Sequence, residues 1–377
     1  MRHAMRRGIR AGACALAATA LLAIAPGMAS AASPVFGIHT QRLNNFEATR
    51  MADGGASWVR TVFEWRDVQP EKDGPYNWSK FDAVILHAAL HGMTVLPVVI
   101  GTPDYIAKTP GRQPRTQADL HRFQLFLDAL VHRYGNGGDF WDALPLIPYT
   151  PVTHWQVWNE PNLHTYWAGE LKPKAFAKFL SIARDAITSA DPLAKIVLAG
   201  MPETKAGLPM STYLKGLYKV KGFAQDIDAV AAHSYAANAK GALATMRKER
   251  RVMDENGDPD KPLWVTEIGW ASAGPKNHPL VRNEKGQARL LTDSFNLLEA
   301  DANKLRLGPI FWFNWRDDPA PEGAPDHFSR HTGLFTADRK PKPAWAAFAK
   351  EAGGDPGSGQ ILPGTGDLGL GGLGDLP

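Results

Sequence analysis

Between residues 35 and 350 the chain alternates two patterns: short apolar runs with little polar alternation, and longer segments with apolar residues at helical spacing. The short runs are "VFGIHT" (35–40), "SWVRTVFEW" (57–65), "MTVLPVVIG" (93–101), "THWQVWNE" (153–160), "KIVLAGM" (195–201), "IDAVAAHSY" (227–235), "PLWVTEIGW" (262–270) and "GPIFWFNW" (308–315). Their nearly continuous Val, Ile, Leu and Trp content is that of strands covered on both faces, as in a parallel sheet. The longer segments suit crossover helices. In "TQADLHRFQLFLDALVHRYG", Leu120, Phe123, Phe126, Leu127, Leu130 and Tyr134 share one stripe, Thr116 and Asp119 are spaced as a capping pair, and Gly135 is the stop. "KAFAKFLSIARDAI" (174–187) and "QARLLTDSFNLLEA" (287–300) read the same way. Eight strands alternating with helices predict an α/β fold, a (β/α)8 barrel forming a single catalytic domain over residues 35–352. An open doubly wound sheet would open with a Gly-rich phosphate turn, and "FGIHTQRLNN" has none.

The ends of the chain read differently. Residues 1–31 carry Arg2, Arg6, Arg7 and Arg10, then an apolar run, then Ala29-Ser30-Ala31, which is the pattern of an export signal cut after Ala31. Its removal takes the formal charge from +4 to 0, so nothing in the charge balance calls for a nucleic-acid partner. The one cysteine, Cys14, leaves with the signal, which excludes disulfides and thiolate chemistry from the mature chain. No later stretch is apolar for long enough to insert in a membrane. Residues 353–377 are rich in Gly, Leu, Pro and Asp and read as a flexible tail; "LPGTG" within it lacks the apolar and basic ends of a cell-wall sorting signal. The expectation is a secreted monomer.

Barrel active sites lie at the carboxyl ends of the strands, and two acids stand there. Glu160 ends the fourth run and Glu267, in "WVTEIGW", ends the seventh; 267 − 160 = 107 residues is three units of about 36, a normal β/α repeat. Two carboxylates facing one another across a cleft suit glycosidic bond cleavage, which needs an acid for the leaving oxygen and an anion for the oxocarbenium-like carbon. Taken singly, a glutamate at a strand end is more often a salt-bridge or capping residue. The matched pair, each beside tryptophan, carries the reading. Asn159 precedes Glu160, and in a regular strand the two would point to opposite faces. Pro161 cannot donate to a ladder, so the strand is predicted to end or bulge at Asn159-Glu160.

"WNEPN" and "VTEIGW" resemble the signatures of the retaining glycoside hydrolases of clan A, the superfamily that includes families 5 and 39. "VQPEKDGPYNWSKFDAVILHAALHGMTVLPVV" and "GLFTADRKPKPAW" are similar to its second β/α unit and its approach to the last helix. The resemblance implies a two-step, configuration-retaining hydrolysis of O-glycosidic bonds, with Glu160 as acid/base and Glu267 as nucleophile. It further implies that Asn159 binds the sugar 2-hydroxyl, Arg60 keeps the nucleophile ionised, His233 and Tyr235 line the site, and Trp315, with Trp312 as the alternative, lies under the sugar. His39, at the end of the first run, and Tyr105 and Trp270, just beyond strand ends where flat faces could stack on sugar rings, complete the candidate substrate-binding set. Trp65 and Trp167 also fall just beyond strand ends, where they could stack on sugar rings, and the loop 316–333 is placed to wall the cleft.

The pattern calls for carbohydrate as the only partner, and for no cofactor or metal. His87 and His91 are four apart on a predicted helix without the intervening glutamate of a zinc site, and read as helix surface. Two rival functions remain: a barrel that binds glycan without cleaving it, and a transglycosylase using the same covalent intermediate.

Overall fold

The computed structural model describes residues 34–109, 111–319 and 322–357. The expected export signal and residues 358–377 of the expected tail lie outside them. Residues 353–357 do not behave as the start of a free tail: Asp355 N donates to Asp53 O (2.7 Å) and the Trp345 indole donates to Pro356 O (2.9 Å), so the folded body runs to residue 357. Among the described residues no helix is long and apolar enough to cross a membrane.

The strands are β1 (Phe36–His39), β2 (Trp58–Glu64), β3 (Thr94–Ile100), β4 (His154–Val157), β5 (Lys195–Val197), β6 (Met201–Pro202), β7 (Val230–His233), β8 (Leu263–Ile268) and β9 (Leu307–Trp312). All their pairings are parallel, in the order β5-β4-β3-β2-β1-β9-β8-β7-β6. β5 and β6 are two pieces of one barrel strand. The first pairs with β4, the second with β7, and the bridge Val197↔Ala229 closes the ring, giving the eight positions of a (β/α)8 barrel. Each predicted run coincides with its strand, except that β6 and β9 each extend one residue beyond it, to Pro202 and from Leu307, and the three predicted helices form as Gln117–Tyr134, Pro173–Ala190 and Glu284–Leu305. The first is capped as its sequence requires: Thr116 accepts from Asp119 N (3.1 Å) and Gly135 N closes on Val131 O.

Alternate strand residues go to two different cores. Those pointing outward, among them Val59, Val99, Trp155, Ile196, Val265 and Trp312, join one large cluster with the helices. Those pointing inward form a small plug: Leu96, Val197, Ala229, Ala231, Trp264 and Phe311, with Trp58 against it. Trp58 meets Trp264 edge to face at 5.3 Å and Phe311 at 6.3 Å, so the barrel floor is aromatic and dry. Two residues further along the same faces the chemistry changes. Gly37 gives way to His39, Trp58 to Arg60 and Ala231 to His233, while His154 is followed by Gln156 and Phe311 by Phe313. The polar layer therefore sits directly on an apolar one.

Gly37 is what lets that floor close: a Cβ there would lie 2.5 Å from the Phe311 ring and 2.9 Å from Trp58 Cβ. Gly37→Ala overpacks the floor and is expected to destabilise the barrel by about 1–3 kcal/mol, seen as a lowered thermal unfolding midpoint; an unchanged midpoint would show that the floor has slack.

Candidate active site

The polar layer is organised by Arg60, whose side chain is 1% exposed. Its Nη1 donates to Glu267 Oε1 (2.8 Å) and to His39 Nδ1 (3.1 Å), its Nη2 to Asn159 Oδ1 (3.0 Å), and its Nε to Gln156 Oε1 (3.1 Å). A guanidinium with this little water costs several kcal/mol unless its donors are met and its charge is balanced. Here the donors find four acceptors and Glu267 supplies the charge.

Glu267 reaches the barrel interior through a local irregularity. Along β8 the pairing with β9 advances three residues, Val265 to Ile268, while β9 advances two, Ile310 to Trp312; on the other side His233 pairs with Glu267 although Ala232 pairs with Val265. One extra residue is accommodated at Thr266-Glu267, a bulge that re-aims the carboxylate. Oε2 then accepts from the Tyr235 hydroxyl (2.6 Å). Burial on its own would raise the Glu267 pKa, but His233, Arg60 and His39, with the Tyr235 hydrogen bond, outweigh it and bring it down to about 2.

Glu160 is placed by a different device. Regular pairing of β4 stops at Val157, two residues before Asn159 and slightly earlier than the sequence suggests. Trp158 and Glu160 then take left-handed backbone, with φ of 70° and 40°. The turn is pinned by Trp158 N to Val99 O, Glu160 N to Gly200 O, the Trp158 indole to Tyr166 O, and Asn162 Nδ2 to Pro202 O and Leu208 O. The result puts both Asn159 and Glu160 over the barrel interior. Glu160 Oε1 lies 2.7 Å from His233 Nδ1, and His233 Nε2 is 3.5 Å from Glu267 Oε1. Gly200 leaves room for that imidazole, since a Cβ there would come within 2.1 Å of it. Burial, followed by the opposing His233 hydrogen bond, and the nearby Glu267 anion leave the Glu160 pKa raised. The two carboxylates thus shift in opposite directions while one oxygen of each lies within 4.8 Å of the other.

Glu160, His233 and Glu267 have the donor types of a metal site. A second cation is disfavoured, because Arg60 already occupies the Glu267 oxygen and its buried charge would repel another. His39 is neutral in this setting: burial first, then Arg60, lowers its pKa to about 3. Its ring stacks on Phe313 at 5.0 Å.

Seven of the ten sequence-derived site residues therefore meet in one site: His39, Arg60, Asn159, Tyr235 and Glu267 in one hydrogen-bonded network, and Glu160 with His233 as a hydrogen-bonded pair beside it, His233 Nε2 standing 3.5 Å from Glu267 Oε1. The aromatic assignments need correction. Trp315 is 4% exposed, packs on Phe335 (4.3 Å) and Trp345 (5.4 Å), and lines the cavity beside Phe313 and Asn314 rather than the one that holds Glu160. Trp312 is fully buried on the helix side, donating to Thr332 O. Trp270 is likewise buried and donates to Ala236 O. Trp65 packs on Phe126 and Trp167 on Phe176 and Phe179, both inside the main core. Tyr105 is partly exposed, but its hydroxyl goes to Gln69 and none of its hydrogen bonds reaches the two carboxylates. The strand-end aromatic that does face the interior is Phe313, two residues beyond the inward-pointing Phe311; alternation from the floor would have found it. Gln156, on the same face as His154, was legible in that way too. Tyr166, in hydrogen-bond contact with Asn159, gave no such signal. His91 is tied to Thr49 and to its own helix, which agrees with its reading as a helix residue.

A cavity of about 520 Å³ opens above the network, lined by Glu160, Tyr166, Glu203, Tyr235, His278 and Phe328 among others. A second, of about 560 Å³, lies beside Phe313 and Asn314 and is lined by Arg42, Arg316 and Arg330. His327 lines both, so residues 316–318 and 327–330 of the loop wall the cleft. Its root is held by Lys342, a buried lysine that donates to Asp317 (2.8 Å) and Ser272 (2.9 Å).

No curated protein matches this sequence. Among solved structures the barrel is similar to a family 39 glycoside hydrolase from Bacteroides cellulosilyticus WH2 (20% identity, TM-score 0.64, 85% of this chain and 64% of that one). It is also similar to a monomeric beta-xylosidase from Caulobacter crescentus CB15 (18%, 0.62, 84% and 68%) and to xylanase 10B from Thermotoga maritima (15%, 0.59, 85% and 95%). The chain thus spans under two thirds of the first of these but nearly all of the last. The family described as glycosyl hydrolase catalytic core matches residues 136–337, more than half of the 377, and takes in both carboxylates, His233 and Tyr235. The chain belongs to the glycosyl hydrolase catalytic core family.

Proposed function

We propose that this chain is a secreted, monomeric retaining glycosidase that cleaves β-linked O-glycosidic bonds of an oligo- or polysaccharide. The observation that carries the reading is the opposite proton affinity of two carboxylates within 4.8 Å: Glu267 lowered to about 2 and Glu160 raised. A retaining pair of carboxyl groups sits about 5–5.5 Å apart, whereas an inverting pair needs about 6.5–9.5 Å to admit a water. One oxygen of each within 4.8 Å of the other favours the closer pairing. The structural neighbours include a xylosidase, a glucosidase, a galactosidase, a mannosidase and a glucuronidase, which supports a glycoside substrate without choosing its sugar.

In the first step a Glu267 oxygen attacks the anomeric carbon, the glycosidic C–O bond breaks, and Glu160 gives its proton to the leaving oxygen. Arg60 and Tyr235 keep the attacking carboxylate anionic and fix its plane. Asn159 has its carbonyl turned to Arg60 and its amide NH₂ toward Tyr166, which leaves one N–H of that amide for the sugar 2-hydroxyl. Forming the ester neutralises Glu267 and removes the anion that, added to burial, raised Glu160. Glu160 then ionises more readily, takes a proton from water, and the hydroxyl displaces Glu267 with overall retention.

Three measurements test this. NMR of the initial product should show the anomer of the substrate; Glu267→Ala should lose hydrolysis and, with azide, yield a glycosyl azide of inverted configuration. No turnover by the wild type on a panel of aryl glycosides and polysaccharides would sink the enzyme reading. The second concerns pH. Activity requires Glu160 protonated, so kcat/KM falls as pH rises through its raised pKa; Glu160→Gln should flatten that alkaline limb on activated aryl glycosides and cost about 10²–10⁴-fold on unactivated ones. The third is a titration of Glu267 by carboxyl ¹³C NMR. Its folded pKa of about 2 lies below the ordinary 4.5, so its stabilising contribution is full above pH 4.5 and lost as pH falls toward 2. Tyr235→Phe should move that pKa up, and Arg60→Met further up; an unmoved titration would separate Glu267 from both partners.

A further inference from the structure

Tyr166 lines the cavity that holds Glu160, and both its main-chain groups are tied to the turn around that glutamate. Its N–H donates to Leu163 O (3.1 Å) and its carbonyl accepts from the Trp158 indole (2.6 Å). The ring packs, partly buried, against the main core, and the hydroxyl meets the side-chain amide of Asn159. The direction of that last bond is forced. Arg60 has only donors, so Asn159 turns its carbonyl to Nη2 (3.0 Å) and its NH₂ the other way, toward Tyr166. The phenol oxygen therefore accepts. Burial, then the Glu160 and Glu267 anions, push its pKa far up, so it stays a neutral phenol wherever the two carboxylates do their work. For packing alone a phenylalanine would serve, and an oxygen buried beside two carboxylates costs free energy unless it is bonded.

We propose that Tyr166 is a positioning residue for the 2-hydroxyl contact: its hydroxyl holds one N–H of the Asn159 amide and thereby aims the other at the sugar O2. An amide held through its carbonyl alone can rock about that one bond. A second bond, through one N–H, fixes the amide plane and with it the direction of the remaining N–H. Arg60, Asn159 and Tyr166 then form a chain whose polarity starts at the guanidinium, so the same cation that sets the nucleophile through Nη1 sets the 2-hydroxyl contact through Nη2. A hydrogen bond to the 2-hydroxyl strengthens in the transition state, so a misaimed amide costs rate even where the fold is intact. The inference rests on the glycosidase reading above and adds to it a residue that acts through Asn159 rather than on the reacting atoms.

The test compares Tyr166→Phe with wild type on the 2,4-dinitrophenyl β-glycosides of xylose, glucose, galactose and mannose, each beside its 2-deoxy counterpart. On the parent glycoside that the wild type cleaves, Tyr166→Phe should lower kcat/KM about tenfold, the effect of one misaimed hydrogen bond. On the 2-deoxy counterpart, which has no O2 to contact, it should stay within about twofold of wild type. A double-mutant cycle reads the same coupling: in an Asn159→Ala background, adding Tyr166→Phe should cost the parent glycoside no more than about twofold. Equal losses on the parent and 2-deoxy probes, no loss on the parent, or full additivity of the two substitutions overturns the inference while the glycosidase reading stands. A wild type inert on every probe overturns the glycosidase reading and this inference together. Thermal unfolding checks that each variant is folded. Where Asn159→Ala is not, the 2-deoxy comparison decides; where the 2-deoxy probes turn over too slowly to measure, the cycle does.

Discussion

The ion pair between Arg60 and Glu267 is the constraint on which the rest of the site depends. Both partners are nearly waterless, and breaking such a pair from either side leaves an uncompensated buried charge that costs about 3–5 kcal/mol. The guanidinium fork also fixes geometry in a way that a lysine could not, since its donors diverge in one plane. One arm sets the Glu267 carboxylate, another the Asn159 amide, and the remaining Nε holds Gln156, whose own amide donates to Trp158 O at the start of the strained turn. Strand two thereby positions groups on strands one, four and seven of the barrel. The dry aromatic floor beneath is part of the same design, because it keeps water from competing for the five N–H groups.

The second dependency is backbone strain. Left-handed backbone at non-glycine residues costs of order 1–3 kcal/mol each and persists only where the surroundings over-determine it. Trp158 and Glu160 both pay this within three residues. The fixings around them are correspondingly dense: two backbone hydrogen bonds to neighbouring strands, an indole N–H, and an asparagine bridging two loop carbonyls. The gain is that consecutive residues, which a strand would send to opposite faces, reach the same cavity. The bulge at Thr266-Glu267 does the same on the opposite side of the barrel. Both carboxylates are delivered by a local departure from regular strand geometry.

That explains which parts of the molecule were legible in the sequence. The eight strands were, because a strand covered on both faces has a continuous apolar signature that survives any detail of pairing. The abrupt "NEPN" marked the strand end because proline forbids the ladder. The split of the fifth strand into Lys195–Val197 and Met201–Pro202 was not legible; it arises where Gly200 passes under His233, a long-range contact with no local signature. The bulge at Glu267 was equally silent. Tryptophans were misread for a related reason: at a strand end the same residue type serves as a sugar platform or as helix-facing core. Parity separates Trp312 from Phe311 and Phe313, but Trp315 shares the parity of Phe313 and lies beyond the strand, which ends at Trp312; both tryptophans were assigned from the resemblance, and both belong to the outer core.

Opposed pKa shifts in one pocket also constrain where protons can go. Glu267 is surrounded by groups that favour its anion, so a proton entering the site is better held at Glu160, between burial and His233. His233 touches both carboxylates, 2.7 Å from one and 3.5 Å from the other, and its ring is fully buried. It therefore cannot turn to solvent when charge moves between them. Any redistribution of charge between the two glutamates must instead be met by the hydrogen bonds of Arg60, Tyr235 and His233, which are already in place. A site of this kind reorganises little as charge shifts, which is the condition under which fixed dipoles lower a barrier most. The buried cation is costly to the fold for the same reason that it is useful to the chemistry.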